Sequence, residues 1–187
     1  MDFQKQYSEC LEHKLHHVKE KRKCGATPMK VGDCDRLFSF CQKNNFENIL
    51  EIGTGTGLST YVLKSALPNS KIDTIEFHQV HIDLAKENLI NWGVEIENIN
   101  FICGEFPHIF PSPWFARKYD LILFDGYSPK SYFLEFYEKI LKNGGILISS
   151  NSHLKLIDEN YFPNLSDERK WQFLDEFDDT KVYLKIC

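Results

Sequence analysis

Apolar residues fall into two regimes along the chain. Up to about residue 41 they recur at spacings of three and four. From residue 48 they gather in short blocks, some interrupted by an acid, separated by amphipathic runs. In the first regime Phe3, Tyr7, Cys10, Leu11, Leu15 and Val18 form one stripe, which predicts a helix over 2–23. Gly25 and then Pro28 discourage its continuation. A second helix is expected over 31–41, with Asp33 near its start and Leu37, Phe38 and Cys41 on one face. In the second regime the blocks 49–52, 71–77, 99–103, 120–124 and 146–149 read as strands buried on both faces. Helices are expected at 58–67, 80–92 and 132–141, closed respectively by Pro68-Asn69, Gly93 and Asn143-Gly144-Gly145. Two last blocks, 171–177 and 181–186, flank Asp178-Asp179 and read as an antiparallel hairpin. Alternating strand and helix calls for an α/β fold, a mostly parallel sheet with helices on both faces.

Composition adds few constraints. With 187 residues, 42% hydrophobic and 26% charged, the chain is long enough for one domain with a full core. The reading is a single domain over 1–187, with a helical segment over 1–45 and the α/β core over 46–187. No apolar run approaches the roughly 20 residues of a membrane span, and the first residues lack the apolar centre of an export signal. Cysteines 10, 24, 34, 41, 103 and 187 show no C-x-x-C pair, so zinc-finger spacing is absent. Scattered thiols without an export signal predict buried cysteines in a reducing cytoplasm. A net charge of −5 and a pI near 5.8 argue against a general nucleic-acid binder. The charge is uneven, however: residues 13–30 hold six Lys or Arg against Glu20 alone, with His13, His16 and His17 interleaved. That stretch reads as a solvated helix face, or more sharply as a contact for an anionic substrate or RNA. No acid or cysteine stands at a ligand spacing from those histidines, so they make a poor metal site.

The chemistry centres on Ile49-Leu50-Glu51-Ile52-Gly53-Thr54-Gly55-Thr56-Gly57-Leu58-Ser59. A strand end, three alternating glycines and a helix start bring backbone N–H groups and a helix N-terminus close to a ligand. Two details narrow the ligand. A dinucleotide fingerprint wants its third glycine where Leu58 stands, and Glu51 would repel a pyrophosphate. An acid there suits a ligand with a positive charge and an α-amino group. In parallel sheets ligands sit beyond the carboxyl ends of the strands. The residues just past each strand are therefore informative: Glu76, Gly104-Glu105 and Asp125. A carboxylate such as Glu76 takes two ribose hydroxyls well, and an acid closing the apolar run before Asp125 is costly unless it faces a site.

Four segments coincide with one family pattern: the glycine stretch, Thr74-Ile75-Glu76, the run from Tyr119 to Gly126, and Leu141-Lys142-Asn143-Gly144-Gly145-Ile146-Leu147-Ile148. From about residue 27 to 151 the chain resembles the class I S-adenosylmethionine (SAM) methyltransferases. The resemblance implies a Rossmann-like, mostly parallel seven-stranded sheet with a C-terminal antiparallel hairpin. It implies SAM as cofactor, with Glu51, Gly53 and Ser59 around the methionine part, Glu76 on the ribose and Glu105 at the adenine edge. The full cofactor-binding set it points to is Glu51, Gly53, Thr54, Gly55, Gly57, Ser59, Glu76, Phe77, Gly104, Glu105 and Asp125.

Within that class, the size, the helical N-terminus and Gly57-Leu58-Ser59-Thr60 resemble the small catechol and caffeoyl-CoA O-methyltransferases. This family likeness implies O-methylation of a small hydroxylated molecule, and a homodimer through the N-terminal helix. In those enzymes a divalent metal is held by the acid after strand four and an Asp-Asn pair after strand five. Asp125 and Asn151 match, but Ser150 stands for the second aspartate and Lys130 lies two places later than the family's lysine. A hydroxyl is a poor ligand for a hard dication, so Mg²⁺ is doubtful and metal-free transfer is the expectation. Asp125, Lys130 and His153 are the candidate catalytic residues, His153 for its pKa near neutrality. Phe106 to Phe115 are expected to form part of the acceptor wall or a packed connection. A competing likeness keeps RNA open as acceptor. Phe124-Asp125-Gly126-Tyr127-Ser128-Pro129-Lys130 resembles a segment of tRNA wobble-uridine methyltransferases, although Ser131-Tyr132-Phe133 stands where those enzymes usually carry Asn-Pro-x-x-Trp. A non-catalytic SAM-binding protein is the third alternative, with Ser150 as its trace.

Overall fold

The computed structural model describes residues 2–19, 26–106, 118–126, 133–150, 167–177 and 180–187. The chain opens with helices α1 (Gln4–Lys19) and α2 (Val31–Lys43). The alternating part comprises β1 (Asn48–Ile52), α3 (Leu58–Ala66), β2 (Lys71–Glu76), α4 (Gln79–Asn91), β3 (Ile99–Cys103), β4 (Tyr119–Phe124), α5 (Phe133–Ile140) and β5 (Leu141–Ser149). It closes with β6 (Trp171–Phe177) and β7 (Thr180–Lys185). The seven strands form one sheet in the order β3-β2-β1-β4-β5-β7-β6, parallel from β3 to β5 and antiparallel at β7 and β6.

Strand alternation divides the core between the two faces of this sheet. Ile49 of β1, Leu121 and Leu123 of β4, and Ile146 and Ile148 of β5 point to one face, where they meet Leu37 of α2, Leu63 of α3 and Leu89 of α4. Their sequence neighbours Leu50, Ile122, Phe124 and Leu147 point to the other, against Tyr137 and Ile140 of α5. A period of two with both sides covered accounts for the apolar blocks. Phe3 locks α1 to this body: it is fully buried, with ring edges against Phe38 at 5.6 Å and Tyr61 at 5.9 Å.

The predicted strand at 146–149 begins earlier, at Leu141. Tyr119 pairs with Leu141 and Leu121 with Ile146, so the segment Lys142-Asn143-Gly144-Gly145 is a bulge inside the ladder rather than a turn before it. Gly144, at φ 77°, supplies the left-handed residue this needs. Of the expected hairpin, the paired strands β6 and β7 are observed, while Asp178-Asp179 lie outside the described residues. The end of the first helix beyond Lys19 lies outside them as well.

Candidate functional site

Register carries the residues after β1, β2, β3, β4 and β5 to one edge of the sheet. Ile52 is level with Ile75 and Phe124, Glu76 with Cys103, and Phe124 with Ser149. The parallel ladder then runs on past the strand ends. Gly53 N–H donates to Ile75 O (2.8 Å), Gly104 N–H to Glu76 O (2.9 Å), Asp125 N–H to Ile52 O (2.8 Å) and Ser150 N–H to Phe124 O (2.8 Å). Gly53, Gly104, Asp125 and Ser150 are thus fixed side by side, which is the geometry expected of a ligand cleft at strand termini.

The glycine turn is held from three directions. A Cβ on Gly53, whose φ is 99°, would stand 2.6 Å from the carbonyl oxygen of Asp125, and one on Gly57, at φ 89°, would stand 3.2 Å from Ala85 of α4. Only glycine lets the turn pass so close to both neighbours. Asn88 of α4 donates to Thr56 O at 2.9 Å, and Ala26 sits 3.3 Å from where a Cβ on Gly55 would be.

Glu51 lies beneath this turn, fully buried. Its Oε2 accepts hydrogen bonds from Thr60 (2.6 Å) and Thr74 (2.5 Å), and the Thr74 hydroxyl also pairs with that of Thr54 at 2.6 Å. Oε1 has no hydrogen-bond partner among the described residues. Burial pushes the Glu51 carboxyl up, the hydroxyls of Ser59, Thr60 and Thr74 hold it back, and the charge of Glu76 adds to the rise. Burial opposes the charge of Glu76 too, but here the donors win. His81 Nδ1 at 3.2 Å and the His78 N–H at 3.0 Å bond Oε1, the Gly55 N–H at 3.0 Å bonds Oε2, and the carboxyl falls below its usual range. The same carboxylate stands at the N-terminus of α4, where the helix dipole favours negative charge.

Phe77, next in sequence, is 59% exposed, with its ring edge against His78. Gly104 is half-buried and Glu105 exposed. Asp125 is half-buried at the end of β4, close enough to Cys34 of α2 that its charge helps burial push that thiol up. Burial likewise raises Cys10 to about 11 and Cys41 to about 12, so neither is a thiolate near neutrality. Phe106 is buried and stacks on Tyr137, a packed position rather than an open wall. Lys130, Asn151 and His153, together with 107–115 of the expected acceptor segment, lie outside the described residues.

Of the positions that match the family's metal ligands, Asp125 and Ser150 are among the described residues. Ser150 is buried and its hydroxyl accepts from Thr180 at 3.4 Å. Where the family pattern has a second carboxylate this chain has that hydroxyl, a weak ligand for a hard dication. Among the described residues no group of three or more His, Cys, Asp or Glu is arranged around a metal position. No helix among them is long and apolar enough to cross a membrane.

His81 and His78 escape a reading of the strand ends alone. The available signal was a histidine five places after a strand-end acid, in the first turn of the next helix, from which a side chain reaches back to its N-terminus.

The chain is 37% identical over 75 residues to a malonyl-[acyl-carrier protein] O-methyltransferase of Ilyobacter polytropus, covering 40% of this chain and 25% of that protein. It is 28% identical over 132 residues to a catechol O-methyltransferase of Niastella koreensis, covering 66% of this chain and 57% of that one. It therefore spans about a quarter of the length of the first relative and little more than half of the second. In three dimensions it is similar to the O-methyltransferase TomG of Streptomyces achromogenes, solved in complex with SAM, with a TM-score of 0.74 at 17% identity over 95% of this chain and 89% of that one. This last likeness shows the fold, with its parallel sheet and antiparallel end. Residues 43–182, from the end of α2 into β7 and including every strand terminus described above, match the methyltransferase domain family, and the chain belongs to that family.

Proposed function

We propose that the protein is a SAM-dependent methyltransferase that O-methylates a small hydroxylated molecule without a resident dication. The observation that carries this reading is the pairing of a glycine turn that admits no Cβ with the charged, donor-anchored carboxylate of Glu76 beside it. The turn offers backbone to a ligand, and the carboxylate accepts hydroxyls. The names of the two curated relatives and of the SAM-bound structural neighbour support the same reading.

Bound SAM would supply an electrophilic methyl group on a positively charged sulfur. In this reading Glu76 is the acceptor for the ribose, while Phe77, Gly104 and Glu105 border the adenine. Gly53, Thr54, Gly55, Gly57 and Ser59 shape the methionine end, with Glu51 the acid beneath it. In the same reading Asp125, half-buried at the end of β4, faces the acceptor hydroxyl. It, or Lys130 or His153 further along the chain, takes the hydroxyl proton as the oxygen–methyl bond forms and the carbon–sulfur bond breaks. Catalysis then comes mainly from alignment and a fixed electrostatic setting.

The test is transfer of labelled methyl from SAM to a panel of catechols and phenols, with and without EDTA, and with tRNA offered separately. The expected result is label in a small hydroxylated molecule at a rate EDTA does not change. Label confined to tRNA, or loss of turnover in EDTA with recovery in Mg²⁺, would contradict it.

A further inference from the structure

We propose that His81 is a positioning residue for the cofactor: it saturates Oε1 of Glu76 and so turns Oε2 into the oxygen that accepts a ribose hydroxyl. The proposal rests on the reading of Glu76 as the ribose acid and adds an asymmetry to it. Oε1 takes two donors, the His78 N–H at 3.0 Å and the His81 ring at 3.2 Å. Among the described residues Oε2 takes one, the Gly55 N–H, also at 3.0 Å. A carboxylate oxygen offers about two lone-pair sites, so Oε1 is filled and Oε2 retains one, on the side of the glycine turn.

His81 suits this role by its place in the fold. It lies in the first turn of α4, where a side chain leans back toward the helix N-terminus, and it is 5% exposed. A carboxylate only accepts, so the facing Nδ1 carries a proton and donates it. Of these three donors on Glu76, two are backbone groups, of the turn and of the residue before α4. The imidazole is the one that a side-chain substitution removes. Without it Oε1 regains a lone pair that competes with Oε2 for the ribose hydroxyl, and the two backbone donors alone hold the carboxylate.

The experiment is calorimetric titration of S-adenosylhomocysteine into wild type, His81→Phe, His81→Leu, His81→Asn, Glu76→Gln and the double variant His81→Phe/Glu76→Gln, with melting temperatures taken in parallel. Two donor-less variants guard against one that does not fold. The proposal expects His81→Phe and His81→Leu to bind about tenfold more weakly, as coupled neighbours do. His81→Asn, which keeps an N–H near the Nδ1 position, recovers most of that loss. The double variant binds no more weakly than Glu76→Gln alone, because His81 acts only through Glu76. Wild-type affinity in both donor-less variants, or losses that add in the double variant, would overturn the role of His81 while leaving the cofactor reading intact. A wild-type protein that binds no S-adenosylhomocysteine would instead remove the cofactor reading beneath it.

Discussion

Glu51 and Glu76 are carboxylates buried at neighbouring strand ends, and their surroundings drive them in opposite directions. Burial dominates at Glu51 and raises it; at Glu76 burial is outweighed by His81 and two backbone donors, and the group is lowered. The signs of the stability effects differ accordingly. A raised carboxyl contributes fully below the ordinary glutamate range and loses that contribution as pH rises through its folded value, so ionised Glu51 costs stability near neutrality. Glu51→Gln should therefore leave the ligand-free melting temperature at pH 7–8 unchanged or higher, while weakening cofactor binding; a fall in melting temperature would show that the charge itself holds the turn. A lowered carboxyl contributes above the ordinary range and loses it as pH falls through its folded value. The stability gap between wild type and Glu76→Gln should be about 1 kcal/mol near neutrality and close on acidification below about pH 4. Denaturant titrations at several pH values measure it, and a gap that does not close would remove the charge from the explanation. On the functional side, Glu76→Ala should cost about 1–3 kcal/mol of SAM affinity, the worth of a charged hydrogen-bond acceptor.

At the level of elements, most of the architecture was legible, because a strand covered on both faces is apolar at most of its positions, with Glu51 of β1 the exception that marks the site. Ile49, Leu50 and Ile52 go to alternate faces yet all are buried, and an apolar run is the sequence trace of that. The start of β5 was less legible. Asn143-Gly144-Gly145 has the composition of a turn, and nothing local states that Leu141 already pairs with Tyr119, a contact between residues distant in sequence. The order of the strands is a tertiary fact of the same kind, whereas the reach of His81 to Glu76 spans five residues and was open to a reading of the helix start. The glycines divide similarly. Gly53 and Gly93 both have positive φ, 99° and 79°, but a Cβ on Gly53 meets Asp125 backbone at 2.6 Å whereas one on Gly93 meets nothing within 4 Å. Gly93→Ala should cost about 1–2 kcal/mol, the left-handed penalty alone. Gly53→Ala should add about 1–3 kcal/mol of overlap and abolish ligand binding. Denaturant unfolding of the pair checks this, and equal losses would mean that the turn yields where it touches β4.

For the molecule as a whole, helices α1 and α2 are joined to the α/β body through buried side chains, Phe3, Cys10, Leu37 and Cys41 among them. Phe3 packs between Phe38 and Tyr61, and Trp92 of the loop after α4 donates to Glu9 of α1 at 2.6 Å. Phe3→Ala should lower stability by about 3–5 kcal/mol, as a fully buried aromatic removed from a core does; a loss below about 1 kcal/mol would mean that α1 is dispensable to the body. The proposed function in turn requires the cofactor to bind at the strand termini. The most direct measurement is calorimetric titration of SAM and S-adenosylhomocysteine into the purified protein, with and without Mg²⁺. A cofactor site built on the glycine turn and Glu76 predicts micromolar binding of both, unchanged by Mg²⁺ and weakened in Glu76→Ala. Absence of binding by either ligand would contradict it, leaving a methyltransferase-family fold whose glycine turn serves some other purpose.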